Sequence, residues 1–314
     1  MGNYSPLVSV IIPNYNHAKY LEQRILSVLN QTYPNFEVII LDDKSSDNSE
    51  QIINRFRENQ KVSHIVINKE NSGSTFIQWN KGFNLAKGEL IWIAESDDYC
   101  EPNFLAKCVN EFKQNSGIAV VYTASQYVNE FNENLKTYNP YKSPKYHYSG
   151  KEFIKLRMDF GCAIWNASSA VFKKDIALSI YKDYQEFKAC GDKLFWIYMA
   201  EKGDVVYVNE ALNYFRQHEN KVSPRKFRDG TSLKEEKKIF NYQVEKGYLK
   251  GLKKINALNL YKTKIQTSDF ENEHVREELI SLWQFNTDYK TKLISFMARI
   301  YQYYHIHIKK NLNK

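Results

Sequence analysis

Glu95, Asp97 and Asp98 stand within four residues of one another, directly after the apolar run "ELIWIA". Three carboxylates this close repel one another, and each resists removal from water. Either the chain turns there in solvent, or a divalent cation neutralises the group. Hard cations such as Mg²⁺ or Mn²⁺ take carboxylate oxygens and keep positions open for phosphate. Other residues with chemistry to offer occupy comparable places. Tyr15 and Asn16 follow the run "LVSVIIP", which Pro13 ends, and Asp43 ends "FEVIILDD". A tyrosine there either stacks on a nucleobase or packs on the surface. An aspartate there either accepts a hydrogen bond from a base N–H or caps the next helix. Asn71 and Gly73 either form a plain turn or let the backbone approach a ligand.

The elements that must position these groups follow from periodicity. "LVSVIIP", "FEVIILDD", "VSHIVIN" and "ELIWIA" are short, β-branched and apolar throughout, the pattern of strands buried on both faces. Between them, "AKYLEQRILSVLNQTY", "SSDNSEQIINRFRENQ" and "FIQWNKGFNLAKG" carry helical spacing. Strand–helix alternation with short connections packs as a doubly wound parallel sheet. In such a sheet ligands bind at the carboxyl ends of the strands, so the ring, Asp43 and the acidic cluster converge on one rim. That describes a nucleotide-diphosphate site without a glycine-rich loop, for neither GxGxxG nor GxxxxGK[ST] occurs. Further on, "GIAVVYTASQYV" reads as a strand, 130–150 as a long loop, and "WNASSAVFKKD" as a strand entering a helix. "GDKLFWIYMAEKG" reads as a helix, "DVVYVNEALNYFRQH" as a pair of strands, and everything past Pro224 as helical. Trp79 and Trp92 fall in apolar stripes and belong to the core.

The chain has 314 residues, 43% hydrophobic, enough for one large core with an appendage. Its four cysteines lack metal-ligand spacing and read as reduced thiols. No apolar run approaches the roughly 18 residues of a spanning helix, and no signal peptide precedes Val8. A cytoplasmic protein is expected, with peripheral contact at the inner face of a membrane left open. The net charge of +8 is uneven: 225–314 hold 19 basic and 10 acidic side chains, whereas 1–224 are nearly balanced.

"SVIIPNYNHAKYLEQRILSVLNQTYPNFEVIILDDKSSDNS" and "NSGSTFIQWNKGFNLAKGELIWIAESDDY" resemble family 2 glycosyltransferases of bacterial surface-polysaccharide type, over residues 7–223. The resemblance implies an α/β fold: a GT-A type, Rossmann-like, mostly parallel sheet flanked by helices, with a C-terminal helical extension. The glycosyltransferase domain would be 1–224 and the basic extension 225–314. By the resemblance Pro13, Tyr15 and Asp43 match nucleoside-binding positions, and Asp97 and Asp98 the metal and diphosphate positions. Glu95 replaces the first acid of the family's Asp-x-Asp. Asp192 matches the catalytic base, preceded by Gly191 where the family usually has Glu. In "YFRQHENKVS", Arg216 and His218 match a late Arg-x-His segment that supplies positive charge to the leaving group.

The expected activity is an inverting, Mg²⁺- or Mn²⁺-dependent transfer from a nucleotide-sugar donor, UDP-linked, to a saccharide or lipid-linked saccharide. A sugar-phosphate nucleotidyltransferase would need a glycine-rich, arginine-containing loop where "PNYNHAKY" stands. A catalytically silent module of the same fold is the remaining alternative, kept open by Gly191 and Glu95. No nucleic-acid reader motif is present, so no nucleic-acid partner is expected. In "KLISFMARIYQYYHIHIKK", Leu293, Phe296, Met297, Ile300, Tyr304, His307 and Ile308 share one helical arc. That arc suits either packing, on the domain or on a second chain, or an anionic membrane surface.

Overall fold

The apolar run Val8–Asn14 forms β1, buried along its whole length because strands flank it on both sides. In chain order there follow α1 (Ala18–Leu29), β2 (Phe36–Asp42), α2 (Ser49–Asn54), β3 (Val62–Ile67), α3 (Thr75–Leu85) and β4 (Leu90–Ile93). Then come β5 (Tyr99–Cys100), α4 (Phe104–Gln114), β6 (Ile118–Val128), β7 (Asn134–Tyr138), β8 (Lys145–Tyr148) and α5 (Gly150–Arg157). They are followed by β9 (Ala170–Lys173), α6 (Lys174–Ser179), α7 (Gly191–Lys202) and β10 (Asp204–Arg216). Last among the described residues are α8 (Val222–Arg228), α9 (Thr231–Glu245), α10 (Leu252–Thr267) and α11 (Glu273–Trp283). This computed structural model describes residues 5–138, 143–219 and 222–285. The amphipathic arc expected over 293–308 lies outside them.

The strands form one sheet in the order β3-β2-β1-β4-β9-β6-β10-β5, with β7 added on β6 and β8 on β10. The first four are parallel, as the apolar runs require. β9 runs against both β4 and β6, so β6 and its parallel partner β10 point the same way as β4. The centre of the sheet is therefore mostly parallel, and six strands open their carboxyl ends on one rim. Helix α1 lays Leu21, Ile25 and Val28 onto it, and α4 adds Phe104, Leu105, Val109 and Phe112. They join Val10, Ile12, Val38, Ile40 and Trp92 in one core. Both expected core tryptophans are buried.

Two local expectations are corrected. The stretch 130–150 is not a plain loop: β7 pairs with β6 and β8 with β10. Both are edge additions: the described side chains of β7 are exposed, and β8 alternates over only four residues, with Tyr146 and Tyr148 on its less exposed face, too short a run to mark a strand. The segment 204–216 is one strand, not two. Asn209 and Glu210 look like a turn but form a bulge against β6, where the register shifts between Val208 and Ala211.

The chain divides into two compact units. The first consists of Met1–Phe153, Ile164–Phe187 and Gly191–Lys221, and the second of Ile154–Ala163, Lys188–Cys190 and Val222–Lys314. A linear cut after residue 224 thus misses two short segments that belong with the C-terminal helices. The second unit has its own core, including Leu233, Phe240, Tyr261, Leu279 and Trp283. Tyr261 and Trp283 stack at 4.2 Å. Within this unit the buried Glu235 carboxylate accepts the N–H groups of Lys188, Ala189 and Cys190 at 2.6, 2.9 and 2.8 Å.

Candidate active site

The strand order places a topological switch at β1. From it the chain passes to β2 and β3 on one side, then returns to β4 on the other. A crevice opens at the carboxyl ends of two strands that diverge in this way. His17 follows β1 and Ser96 follows β4, and a His17 ring nitrogen, Nδ1, meets Ser96 Oγ across the switch at 2.8 Å. The end of β10 reaches the same place: His218 Nε2 lies 3.0 Å from Asp97 Oδ2, and the His218 side chain is only 4% exposed. One ligand atom each from His17, Asp97 and His218 lies within 4.8 Å of the others. Burial holds the His17 pKa below its usual value, partly offset by Asp97.

Glu95 and Asp98 are not in that group. The Glu95 carboxylate accepts the indole N–H of Trp79 at 2.9 Å. Burial, then the neighbouring Asp97, pushes its pKa up to about 8. Asp98 is buried, and its oxygens accept from Asn166 Nδ2 at 2.6 Å, Ser168 Oγ at 2.8 Å and the Arg216 N–H at 2.9 Å. Burial and Asp97 push its pKa upward too. The knot of like charge is balanced from behind by two buried guanidinium groups. Arg24, in the apolar face of α1, donates to the Glu95 carbonyl at 2.9 Å and stands 3.9 Å from Asp98 Oδ2. Arg216 donates to the Asp97 carbonyl, to Asn129 and Asn132, and to Gln23. Its guanidinium also lies over Tyr20 at 4.6 Å. As placed, Arg216 is a buried hub of the fold.

On the β2 side the register pairs Asn14 with Asp42, and Asn14 Nδ2 donates to Asp42 Oδ2 at 2.7 Å. The next residue, Asp43, is 5% exposed, and Asn48 rather than Asp43 stands at the N-cap of α2. Its carboxylate accepts from Asn68, from the N–H and hydroxyl of Ser72, and from Gln78. Asp43 thereby fixes the loop that carries Gly73, whose φ of +69° is the left-handed region that suits glycine. Asn16 also has positive φ, 56°, and its side chain accepts the Ser46 N–H. Pro13 is buried within β1, whereas the Tyr15 ring is 48% exposed at the rim.

Asp192 lies in the first turn of α7, where its carboxylate accepts the Lys193 N–H at 2.8 Å. Gly191 has a steric reason. A Cβ there would lie 2.5 Å from the Tyr184 carbonyl oxygen and 2.7 Å from the Phe76 ring. The place of a supporting carboxylate at 191 is filled by packing.

The structure thus brings Asp97 and His218 together, with His17 beside them. It turns Glu95 and Asp98 to other partners. His17 carried a signal: a metal-ligand residue type two positions past Tyr15, on the rim already marked by strand ends. Two imidazoles and a carboxylate suit a divalent cation, and the buried His218 Nδ1 has no hydrogen-bond partner. The residues present fit such an ion. Arg24, Asn166 and Ser168, which hold the acidic turn, had no signal in sequence, because each meets it only through the fold.

Comparisons with known proteins bear on the family and the fold. The family model described as Glycosyl transferase family 2 matches residues 9–172. The chain is 26% identical over 294 residues to Glycosyltransferase GlyG of Streptococcus pneumoniae, covering 87% of this chain and 93% of that protein. It is 29% identical to the putative teichuronic acid biosynthesis glycosyltransferase TuaG of Bacillus subtilis, covering 73% of this chain and 86% of that one. A hyaluronan synthase of Pasteurella multocida matches at 39% identity, over 40% of this chain but only 13% of its own length. Among solved structures, S. aureus TarS 1-349 in complex with UDP-GlcNAc superposes with a TM-score of 0.59 at 18% identity, covering 93% of this chain and 79% of that one. The mannosyltransferase PcManGT of Pyrobaculum calidifontis, in complex with GDP-Man and Mn²⁺, superposes with 0.56 at 16%, covering 99% and 88%. These two likenesses concern the fold.

Proposed function

The chain belongs to glycosyl transferase family 2, and from that premise we propose that it moves a sugar, with inversion, from a UDP-linked donor to a hydroxyl of a saccharide or lipid-linked saccharide. The observation that carries this reading is the meeting of His17, Asp97 and His218 at the switch point between β1 and β4, with His17 two residues along the chain from the exposed Tyr15. TarS with UDP-GlcNAc and PcManGT with GDP-Man and Mn²⁺ support a nucleotide-sugar donor and a metal. The teichuronic acid and hyaluronan relatives support a bacterial polysaccharide as the acceptor class.

Tyr15 offers its ring to the base, and Asp43 holds the loop that carries Gly73. Asp97 and His218 are the residues that would hold Mn²⁺ or Mg²⁺. When bound, such an ion neutralises diphosphate charge as the leaving group departs. Asp192 takes the proton of the acceptor hydroxyl. The acceptor oxygen forms its bond to the anomeric carbon as the bond from that carbon to the diphosphate oxygen breaks, and nucleoside diphosphate leaves with the electron pair. Glu95, Asp98 and Arg216 act behind the site, shaping the turn that presents Asp97.

The alternative, a silent module of the same fold, would bind a donor without cleaving it. Incubation with UDP-sugars and Mn²⁺, read as free UDP released, separates the two. UDP release that is lost in EDTA supports the enzyme. UDP-sugar binding with no release, even with saccharide acceptors present, would support the silent module instead.

A further inference from the structure

We propose that His17 is a third ligand of the divalent cation that Asp97 and His218 would hold, which makes the site selective for transition metals over Mg²⁺. The inference rests on the metal reading above and deepens it. Three features of the structure carry it. One ligand atom from each of the three side chains lies within 4.8 Å of the others. The rings of His17 and His218 stand close, 5.6 Å between centroids, with their planes at 84°. His17 Nδ1 is also held by Ser96 Oγ at 2.8 Å, and Ser96 is itself 1% exposed. A hydrogen bond from one ring nitrogen to a fixed partner orients a metal-binding imidazole and leaves its other nitrogen for the ion.

The spacing is also of the right size. Two ligand atoms each about 2.1 Å from one ion, at a right angle, are roughly 3.0 Å apart. His218 Nε2 and Asp97 Oδ2 are 3.0 Å apart. The chemistry then sets the preference. Carboxylate and water alone suit Mg²⁺, whereas each imidazole favours first-row transition ions in the order Mn²⁺, Co²⁺, then Ni²⁺. A two-imidazole, one-carboxylate set therefore binds Co²⁺ more tightly than Mn²⁺, and both more tightly than Mg²⁺. The switch point explains why His17 takes part: it follows β1, the only described strand paired with both β2 and β4, and so faces the turn that carries Asp97.

The test is metal binding by the full chain, without substrate turnover. Mn²⁺ affinity is read by electron paramagnetic resonance, with Co²⁺ and Mg²⁺ as competitors, each alone and with UDP. His17→Gln should weaken Mn²⁺ binding about tenfold or more and narrow the preference for Co²⁺ over Mg²⁺, while its melting curve stays cooperative. As a measurement on the unaltered chain, ¹⁵N spectra of histidine-labelled protein should show Zn²⁺ moving the ring nitrogens of two histidines, assigned to His17 and His218 by single substitution. If Asp97→Asn abolishes Mn²⁺ binding while His17→Gln leaves affinity and selectivity unchanged, or if Zn²⁺ moves the His218 ring alone, the role given to His17 is overturned and the metal reading stands. If the unaltered chain binds no Mn²⁺ even with UDP, both are overturned.

Discussion

The Asp98 carboxylate accepts the backbone N–H of Arg216 at 2.9 Å, tying the turn after β4 to the end of β10 across 118 positions of sequence. With Asn166, Ser168 and Arg24 on its other sides, Asp98 is committed to the fold. Burial, and after it repulsion from the neighbouring Asp97, raises the pKa of both Glu95 and Asp98. The adjacent acids should therefore separate in experiment. Asp98→Ala leaves a buried guanidinium without its anion and should cost about 3–5 kcal/mol in urea unfolding. Asp97→Ala should leave stability within about 1 kcal/mol and abolish Mn²⁺-dependent UDP binding. Equal binding of UDP by that variant, or by the parent in EDTA, would remove Asp97 from the metal.

Glu95 predicts a pH dependence in the metal-free protein. Its folded pKa is about 8, against an ordinary 4.5. Between those values the folded chain keeps a proton that the unfolded chain has released. The cost of ionising Glu95 is therefore absent below about pH 4.5, grows as pH rises, and is complete above about pH 8. In EDTA the parent should lose stability over that window, by up to about 1.4 kcal/mol per pH unit. Glu95→Gln, whose amide oxygen still accepts from Trp79, should flatten the slope. Superimposable stability–pH curves for the two proteins would show that Glu95 ionises freely.

Gly191 cannot be exchanged for the family's more usual glutamate. The space for its Cβ is held by the Tyr184 carbonyl and the Phe76 ring. Gly191→Ala should destabilise by about 1–3 kcal/mol through overpacking, and Gly191→Glu by more, with no gain in transfer. Wild-type melting of Gly191→Ala would mean that Phe76 moves aside at little cost.

Asp192→Asn tests the proposed base. The amide is nearly isosteric and keeps an oxygen for the Lys193 N–H, so folding and UDP binding should be retained. Transfer should fall by roughly 10²- to 10⁴-fold, the usual contribution of a positioned base. With packing at position 191 in place of a second carboxylate, the upper half of that range is expected. Transfer within a few-fold of the parent would reduce Asp192 to a helix-terminal residue.

Tyr15 is 48% exposed, so its removal should leave the melting temperature nearly unchanged. If its ring stacks on the base, Tyr15→Ala should weaken UDP binding by about 1–3 kcal/mol, and Tyr15→Phe should restore most of it. A UDP isotherm unaltered by Tyr15→Ala would return the ring to plain surface packing.

Much of the sheet was legible because burial on both faces leaves a direct mark. Val8–Asn14 and Phe36–Asp42 are apolar runs that end abruptly in polar residues, so both the strands and the rim where chemistry sits could be read from one dimension. Residue type and spacing likewise marked Tyr15, Asp43 and the acidic turn, since each lies next to a strand end in sequence. The roles within that turn were decided only by tertiary structure. Glu95, Asp97 and Asp98 are alike in sequence, yet Trp79 takes the first, and Asn166, Ser168 and Arg216 take the third. Only Asp97 is brought beside His17 and His218. These partners come from 17 to 218 in the chain, and no local pattern encodes which of three adjacent carboxylates each will meet. The edge strand β7 shows the same: its described side chains are exposed, no apolar period marks it, and backbone pairing with β6 makes it a strand. By contrast β8, paired with β10, does alternate, with Tyr146 and Tyr148 on its less exposed face, but over four residues only.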